Sequence, residues 1–199
     1  IADDVLVTTK VWNDVEGYDA VLKDFERSRR NLRGKLDLYL LHWPAHEFLS
    51  RWKALEHLYE QGEVAAIGVS NFKAHHLEEL AAHANIAPML NQIEAHACFM
   101  DWPTIAYCHH NDIALQAWRP LMRTGGLLQN ENVAAIGAKV GKTAAQVALR
   151  FLLQSGVDVL PKSVHEDRMR ENLNVFDFAL SPSDMTRRYL TLFERQKLL

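Results

Sequence analysis

Short β-branched runs alternate with longer amphipathic segments along the whole chain, and this alternation restricts the fold more than any other feature of the sequence. Six runs have strand character: residues 4–11 (DVLVTTKV), 36–42 (LDLYLLH), 64–70 (VAAIGVS), 88–95 (PMLNQIEA), 113–118 (IALQAW) and 158–163 (DVLPKS). Between them the apolar period becomes helical. Val21, Leu22, Phe25 and Leu32 recur at that spacing. Ser50 is placed to cap a helix carrying Trp52, Leu55, Leu58 and Tyr59, with Gly62 as its stop. Thr143 and Gln146 form a T-x-x-Q capping box that opens AAQVALRFLLQSG. Ser181-Pro182-Ser183-Asp184 begins a last helix with a cap, a proline at the first helical position and an early acid. No linker, repeat or low-complexity stretch interrupts the rhythm, so a single domain over residues 1–199 is expected.

Repeated strand–helix units predict a parallel sheet, because right-handed crossovers put a helix between parallel neighbours. An open doubly wound sheet would gather its functional groups at one switch point. Here Lys10, His42, Ser70, Gln92, Trp118 and Lys162 stand at or near the carboxyl ends of six successive strands. Such ends converge on one mouth in a (β/α)8 TIM barrel, which is therefore the predicted α/β architecture.

Composition narrows the function class. The 199 residues are 48% hydrophobic and 24% charged, as in a globular domain, and the net charge of −3 provides no broad positive field for nucleic acid or an anionic membrane. No apolar run approaches the ~20 residues that cross a bilayer. Acids stand in IADDVLVTTK where a signal peptide carries bases, and Cys98 and Cys108 form no C-x-x-C pair. Reduced thiols in a cytoplasmic protein are expected.

Two motifs are decoys. GAKVGKT (137–143) lacks the glycine that a P-loop requires, having Ile136 at that position, and a turn with a helix cap explains it better. The histidines include His75-His76, His109-His110 and the His42/His46 pair. Adjacent histidines on a helix point about 100° apart and the spaced pair is broken by Pro44, so no metal is expected.

The remaining polar residues leave paired readings open. Lys10 either is held in a buried strand by a partner or snorkels to water. A buried ammonium there would hold a partner's pKa down, or form a Schiff base as in a barrel lyase. Ser70-Asn71 either cap the next helix or bind a flat amide, and Gln92 needs a partner inside its strand. Lys162, Ser163, Arg168 and Asn172 span a strand end and a helix start, suited to a phosphate or to an ordinary charged face interleaved with Glu166, Asp167 and Glu171.

Seven segments taken in order resemble the aldo-keto reductase family: TTKVWND, LDLYLLHWP, WKALEHLYEQGEVAAIGVSNF, NQIEAH, AWRPL, GKTAAQVALRFLLQ and LPKSVHEDRMRENLNVFDFALS. They cover nearly the whole chain and are most similar to the bacterial and protozoal 2,5-diketo-gluconate, methylglyoxal and prostaglandin F synthase-type reductases. The resemblance implies a barrel that binds NADPH without a Rossmann glycine motif. It also implies hydride reduction of a small carbonyl substrate, in a monomer.

By motif, His42 and Lys10 match two of the family's four catalytic residues: His42 orients the carbonyl, and Lys10 lowers the pKa of a proton-donating tyrosine. Ser70, Asn71 and Gln92 match the carboxamide site, and Trp118 the ring that stacks on nicotinamide. Lys162, Ser163 and Arg168 match the surroundings of the adenosine 2′-phosphate and Asn172 the adenine contact; Leu121 and Val164 complete the cofactor set. Trp12 and Trp43 match the substrate-pocket walls.

The family's tyrosine and aspartate precede the TTK strand and have no counterpart among the nine residues before Lys10, so the chain is expected to supply about strands three to eight. A non-catalytic NADPH sensor or truncated pseudo-enzyme is the alternative. Arg119 stands where the family commonly has serine, and His96-Ala97 replaces a common His-Pro.

Overall fold

The computed structural model describes residues 5–122 and 126–186. They divide into two compact units, residues 1–92 with 103–114 and residues 93–102 with 115–199.

In the first unit, strands β1 (Thr8–Val11), β2 (Leu38–Leu41), β3 (Ala66–Ser70) and β4 (Leu90–Glu94) pair in parallel in that order. The side chains alternate between two faces. On one, Tyr39 meets Phe25 of helix α1 (Tyr18–Asn31) with ring centroids 5.4 Å apart, and its hydroxyl donates to Asp24 at 2.7 Å. Burial, and then that carboxylate, push the Tyr39 pKa up, so this tyrosine stays protonated. Helix α2 (Phe48–Glu60) buries Trp52, Leu55 and Leu58, each such side chain contributing about 1.5–3 kcal/mol. Its Glu56 carboxylate accepts from the Asn85 and Ile86 amides at 2.6 and 2.8 Å, fixing the loop after helix α3 (Ala74–Ala81). Helix α4 (Trp102–His110) buries Ile105 and Cys108.

Ser50 does not cap α2. The helix starts two residues earlier at Phe48, after Glu47 in a left-handed turn, because the tight turns after Pro44 close at once, with the Phe48 amide on the Ala45 carbonyl. Strand β1 starts only at Thr8; Asp4 of the expected run lies outside the described residues, and Val5 and Leu6 are exposed. His75 and His76 do not point apart either. Their Nε2 atoms are 3.0 Å apart, because the Lys73 amide donates to His76 Nδ1 and turns that ring. Among the described residues no three metal-binding side chains gather.

In the second unit, β5 (Ala114–Trp118) pairs in parallel with β6 (Asp158–Val159). The run expected through residue 163 stops at Val159, with Pro161, which lacks an N–H, two residues on. Helix α5 (Glu131–Val140) is capped by Asn130 and ends on Gly141 at φ +66°, so the GAKV of the GAKVGKT stretch closes this helix and Gly141-Lys142 turn the chain toward Thr143. Helix α6 (Ala144–Gln154) opens with the expected capping box. Helices α7 (Glu166–Leu173) and α8 (Pro182–Thr186) follow, and Ser181 accepts from the Asp184 amide at the start of the latter. No described helix is long and apolar enough to cross a membrane.

Candidate functional site

Strand register assembles the first group of side chains. Lys10 lies beside Leu40, Leu40 beside Gly68 and Gly68 beside Leu90. A Cβ added to Gly68 would come within 2.9 Å of Leu40 Cδ2 and 3.0 Å of Leu90 Cβ, so these residues are layered on one face. Two residues further along, the same face carries Ser70 beside Gln92 and, just past β2, His42. The His42 amide donates to the Val11 carbonyl at 3.1 Å, which continues the ladder.

A short network fixes this end of the strands. Ser70 Oγ donates to the Gln92 carbonyl at 2.8 Å, and the Asn71 amide donates to the same oxygen at 2.9 Å. Asn71 Nδ2 donates to both Ser70 Oγ and the His42 carbonyl at 3.0 Å. Asn71 adopts φ +63°, a left-handed conformation that asparagine tolerates better than most residues. Of the three residues expected to grip a carboxamide, Ser70 and Asn71 are thus joined to each other and to the Gln92 backbone.

Electrostatics keep His42 neutral. Burial, and then the neighbouring Lys10 charge, push its pKa down, and burial lowers that of Lys10. A neutral imidazole has one N–H to offer a carbonyl oxygen, and a desolvated ammonium nearby favours negative charge developing there. Trp12 stands edge-on to the His42 ring with centroids 4.5 Å apart. Trp12 and Trp43 are 54% and 42% exposed, apolar surface left beside the polar group. Arg51 was not legible as part of this region: fully buried in α2, it donates through Nη2 to the Trp12 carbonyl at 3.0 Å. Its Nε and Nη1 have no partner among the described residues.

The second unit carries the other candidates. Trp118 ends β5, and the Leu160 amide donates to the Ala117 carbonyl at 3.1 Å, holding the β6 end alongside. Leu121, Lys162, Ser163, Val164, Arg168 and Asn172 all line one cavity of about 520 Å³. Ser163 Oγ accepts from the His165 amide at 3.0 Å, a turn that starts α7 and sets Arg168 and Asn172 on its first two turns. Leu128, Ala145 and Glu171 line the same cavity and had no sequence signal of their own. Glu171 accepts from the Thr143 hydroxyl, so the α6 cap and the α7 wall are tied.

The chain matches the Aldo/keto reductase family over residues 1–188. It is 48% identical over 185 residues to glyoxal reductase of Bacillus subtilis (strain 168), an alignment that covers 92% of this chain and 67% of that protein. To 9,11-endoperoxide prostaglandin H2 reductase of Trypanosoma cruzi (strain CL Brener) it is 46% identical over 187 residues, covering 92% and 66%. It superimposes on the crystal structure of a Gox0644 mutant in complex with NADPH with a TM-score of 0.87 at 42% identity, covering 92% of this chain and 68% of that one. This chain spans about two thirds of the length of the curated relatives it matches. With this match, this order of strands and helices and this arrangement of carboxyl-terminal side chains, the chain belongs to the aldo/keto reductase family, whose members are (β/α)8-barrel oxidoreductases.

Proposed function

We propose that the complete protein is an NADPH-dependent carbonyl reductase that converts small aldehydes and ketones to alcohols by hydride transfer. The observation that carries this reading is the shared face at the strand ends, where Lys10, His42, Ser70 and Gln92 stand together. NADPH, when bound, supplies the hydride. His42, held neutral, donates its N–H to the substrate oxygen and orients the carbonyl. Lys10 supplies the positive potential that favours proton delivery to that oxygen at neutral pH. Trp12 and Trp43 exclude water from the reacting carbon and set the width of the substrate pocket.

The residues present fit the cofactor. In the first unit Ser70, Asn71 and Gln92 would take up a flat amide, and in the second unit Trp118 would offer a ring face. Lys162 and Arg168 supply two cations to a cavity that also contains Ser163 and Asn172, suited to a 2′-phosphate beside an adenine; Leu121 and Val164 give it apolar walls. The named reductases among the relatives favour an enzyme over a non-catalytic sensor. The glyoxal reductase relative makes short dicarbonyls the first substrates to test. One barrel domain over residues 1–199, a monomeric state and a cytoplasmic location belong to the same proposal; Cys98 and Cys108 are both buried.

The test is to add methylglyoxal and NADPH to the full-length protein and follow the nicotinamide absorbance. The expected result is consumption of NADPH that falls at least a hundredfold in a His42→Ala variant, as loss of a positioned polar catalyst predicts at about 10²–10⁴-fold. No turnover with any short aldehyde or ketone overturns the reading.

A further inference from the structure

Arg51 stands where a charge is hard to keep. It lies near the start of α2 with none of its surface exposed, and Nη2 donates to the Trp12 carbonyl at 3.0 Å. Nε and Nη1 have no hydrogen-bond partner among the described residues. Burial pushes the Arg51 pKa down by more than Asp14 and Glu16, on the loop between β1 and α1, raise it. A buried guanidinium with two of its three nitrogens unmatched destabilises a fold, and an apolar side chain of similar length packs without that penalty. Stability therefore does not account for this residue.

What the guanidinium holds is the backbone of Trp12. Trp12 directly follows β1, and its carbonyl also accepts from the Val15 amide, at the longer distance of 3.3 Å. The bond from Arg51 fixes the plane of the peptide after Trp12, and with it the direction in which the indole leaves the chain. That indole is half exposed, with open space for other rotamers, yet its ring stands edge-on to His42 with centroids 4.5 Å apart. Contacts thus run from Arg51 through the Trp12 carbonyl to the Trp12 ring and on to the His42 ring, all within the first unit.

We propose that Arg51 is a positioning residue: by anchoring Trp12 it holds the indole against His42 and fixes the wall along which the carbonyl substrate binds. The assignment rests on the proposed function, in which Trp12 and His42 meet the substrate. The experiment compares full-length wild-type, Arg51→Met and Arg51→Lys proteins. It measures turnover of methylglyoxal at saturating NADPH, urea denaturation, and NADPH binding by quenching of tryptophan fluorescence. Arg51→Met removes the donors and the charge and keeps most of the volume. It is expected to be at least as stable as the wild type and to bind NADPH equally well. Its KM for methylglyoxal should rise about tenfold, as expected for loss of one hydrogen bond from a charged group. Arg51→Lys keeps one donor for the Trp12 carbonyl together with a buried charge. It should be the less stable of the two variants and have the lower KM. The variants then rank in opposite order for stability and for substrate binding, which a merely structural role does not produce.

A KM for Arg51→Met within twofold of the wild type overturns the inference. So does a pair of variants in which the less stable protein also has the higher KM, which marks Arg51 as a packing residue of α2. Both results leave the proposed function standing. Absence of turnover by the wild type with any short aldehyde or ketone overturns the proposed function, and this assignment with it.

Discussion

The side-chain amide of Asn71 donates to the main-chain carbonyl of His42 at 3.0 Å, so the residue after β3 fixes the backbone of the residue after β2. Asn71 does this from a left-handed conformation at φ +63°. Asn71→Ala removes two hydrogen bonds and leaves a β-carbon in that conformation; the expected loss is about 2–3 kcal/mol. Asn71→Gly removes the same bonds but restores backbone freedom, and should lose about 1 kcal/mol less. Urea denaturation of both variants measures the difference. Equal stabilities would mean that the backbone at Asn71 is not strained.

Acid should begin to destabilise the protein as pH falls below 6.5. Burial pushes the His96 pKa from 6.5 down to about 4, and its Nδ1 accepts from the Cys98 amide at 3.3 Å, which requires an unprotonated ring nitrogen. Between those pH values the unfolded chain binds a proton that the folded one does not. The stabilisation is therefore complete above pH 6.5 and is lost as pH falls through about 4. Its size is on the order of 3 kcal/mol for this histidine. The lowered pKa values of His42 and His76 act in the same direction. Unfolding free energies measured across that range should slope upward with pH, and His96→Gln should flatten the slope.

Gly68 is required by packing rather than by its backbone angles. An added Cβ would lie 2.5 Å from the Leu90 carbonyl oxygen and 2.9 Å from Leu40 Cδ2. The Leu90 contact is with backbone, so β3 and β4 must separate. Gly68→Ala is expected to cost about 3 kcal/mol, the upper end of overpacking penalties. It should also lower turnover, since Ser70 and Gln92 lie two residues along the same pair of strands. Thermal unfolding and steady-state kinetics on one preparation check both effects.

Gln146 couples the start of α6 to α7 and the residue after it. Its Oε1 accepts from the Thr143 amide at 3.0 Å, and its Nε2 donates to the Glu171 and Asn174 carbonyls at 3.2 and 2.8 Å. Thr143→Ala should cost about 1 kcal/mol, as ordinary loss of a helix cap does. Gln146→Ala removes three hydrogen bonds to part-buried backbone groups and should cost about 1–2 kcal/mol. It should also weaken NADPH binding, because Arg168 and Asn172 ride on α7. Fluorescence titration alongside denaturation separates the two effects.

Much of this molecule follows from local sequence. The β-branched runs become strands β1 to β6, because short, near-continuous apolar runs suit a parallel sheet that is buried on both faces. The T-x-x-Q box starts α6 where expected, because a cap acts within a single turn. The strand pattern also places Lys10, His42, Ser70, Gln92 and Trp118 within or just past the last residues of their strands. Tertiary structure decides what sequence spacing leaves open. Ser50 is a sound cap by type, but the turns after Pro44 close so soon that α2 begins before it. Arg51 reads as a charged helix residue, and only packing buries it against the Trp12 carbonyl. Asn71 reads equally well as a cap or as a ligand, and only the adjacency of β2 and β3 joins it to His42. Residue types and their order thus determine which groups stand at the strand ends. Which of them touch depends on register and burial, and these are set by chain segments distant in sequence.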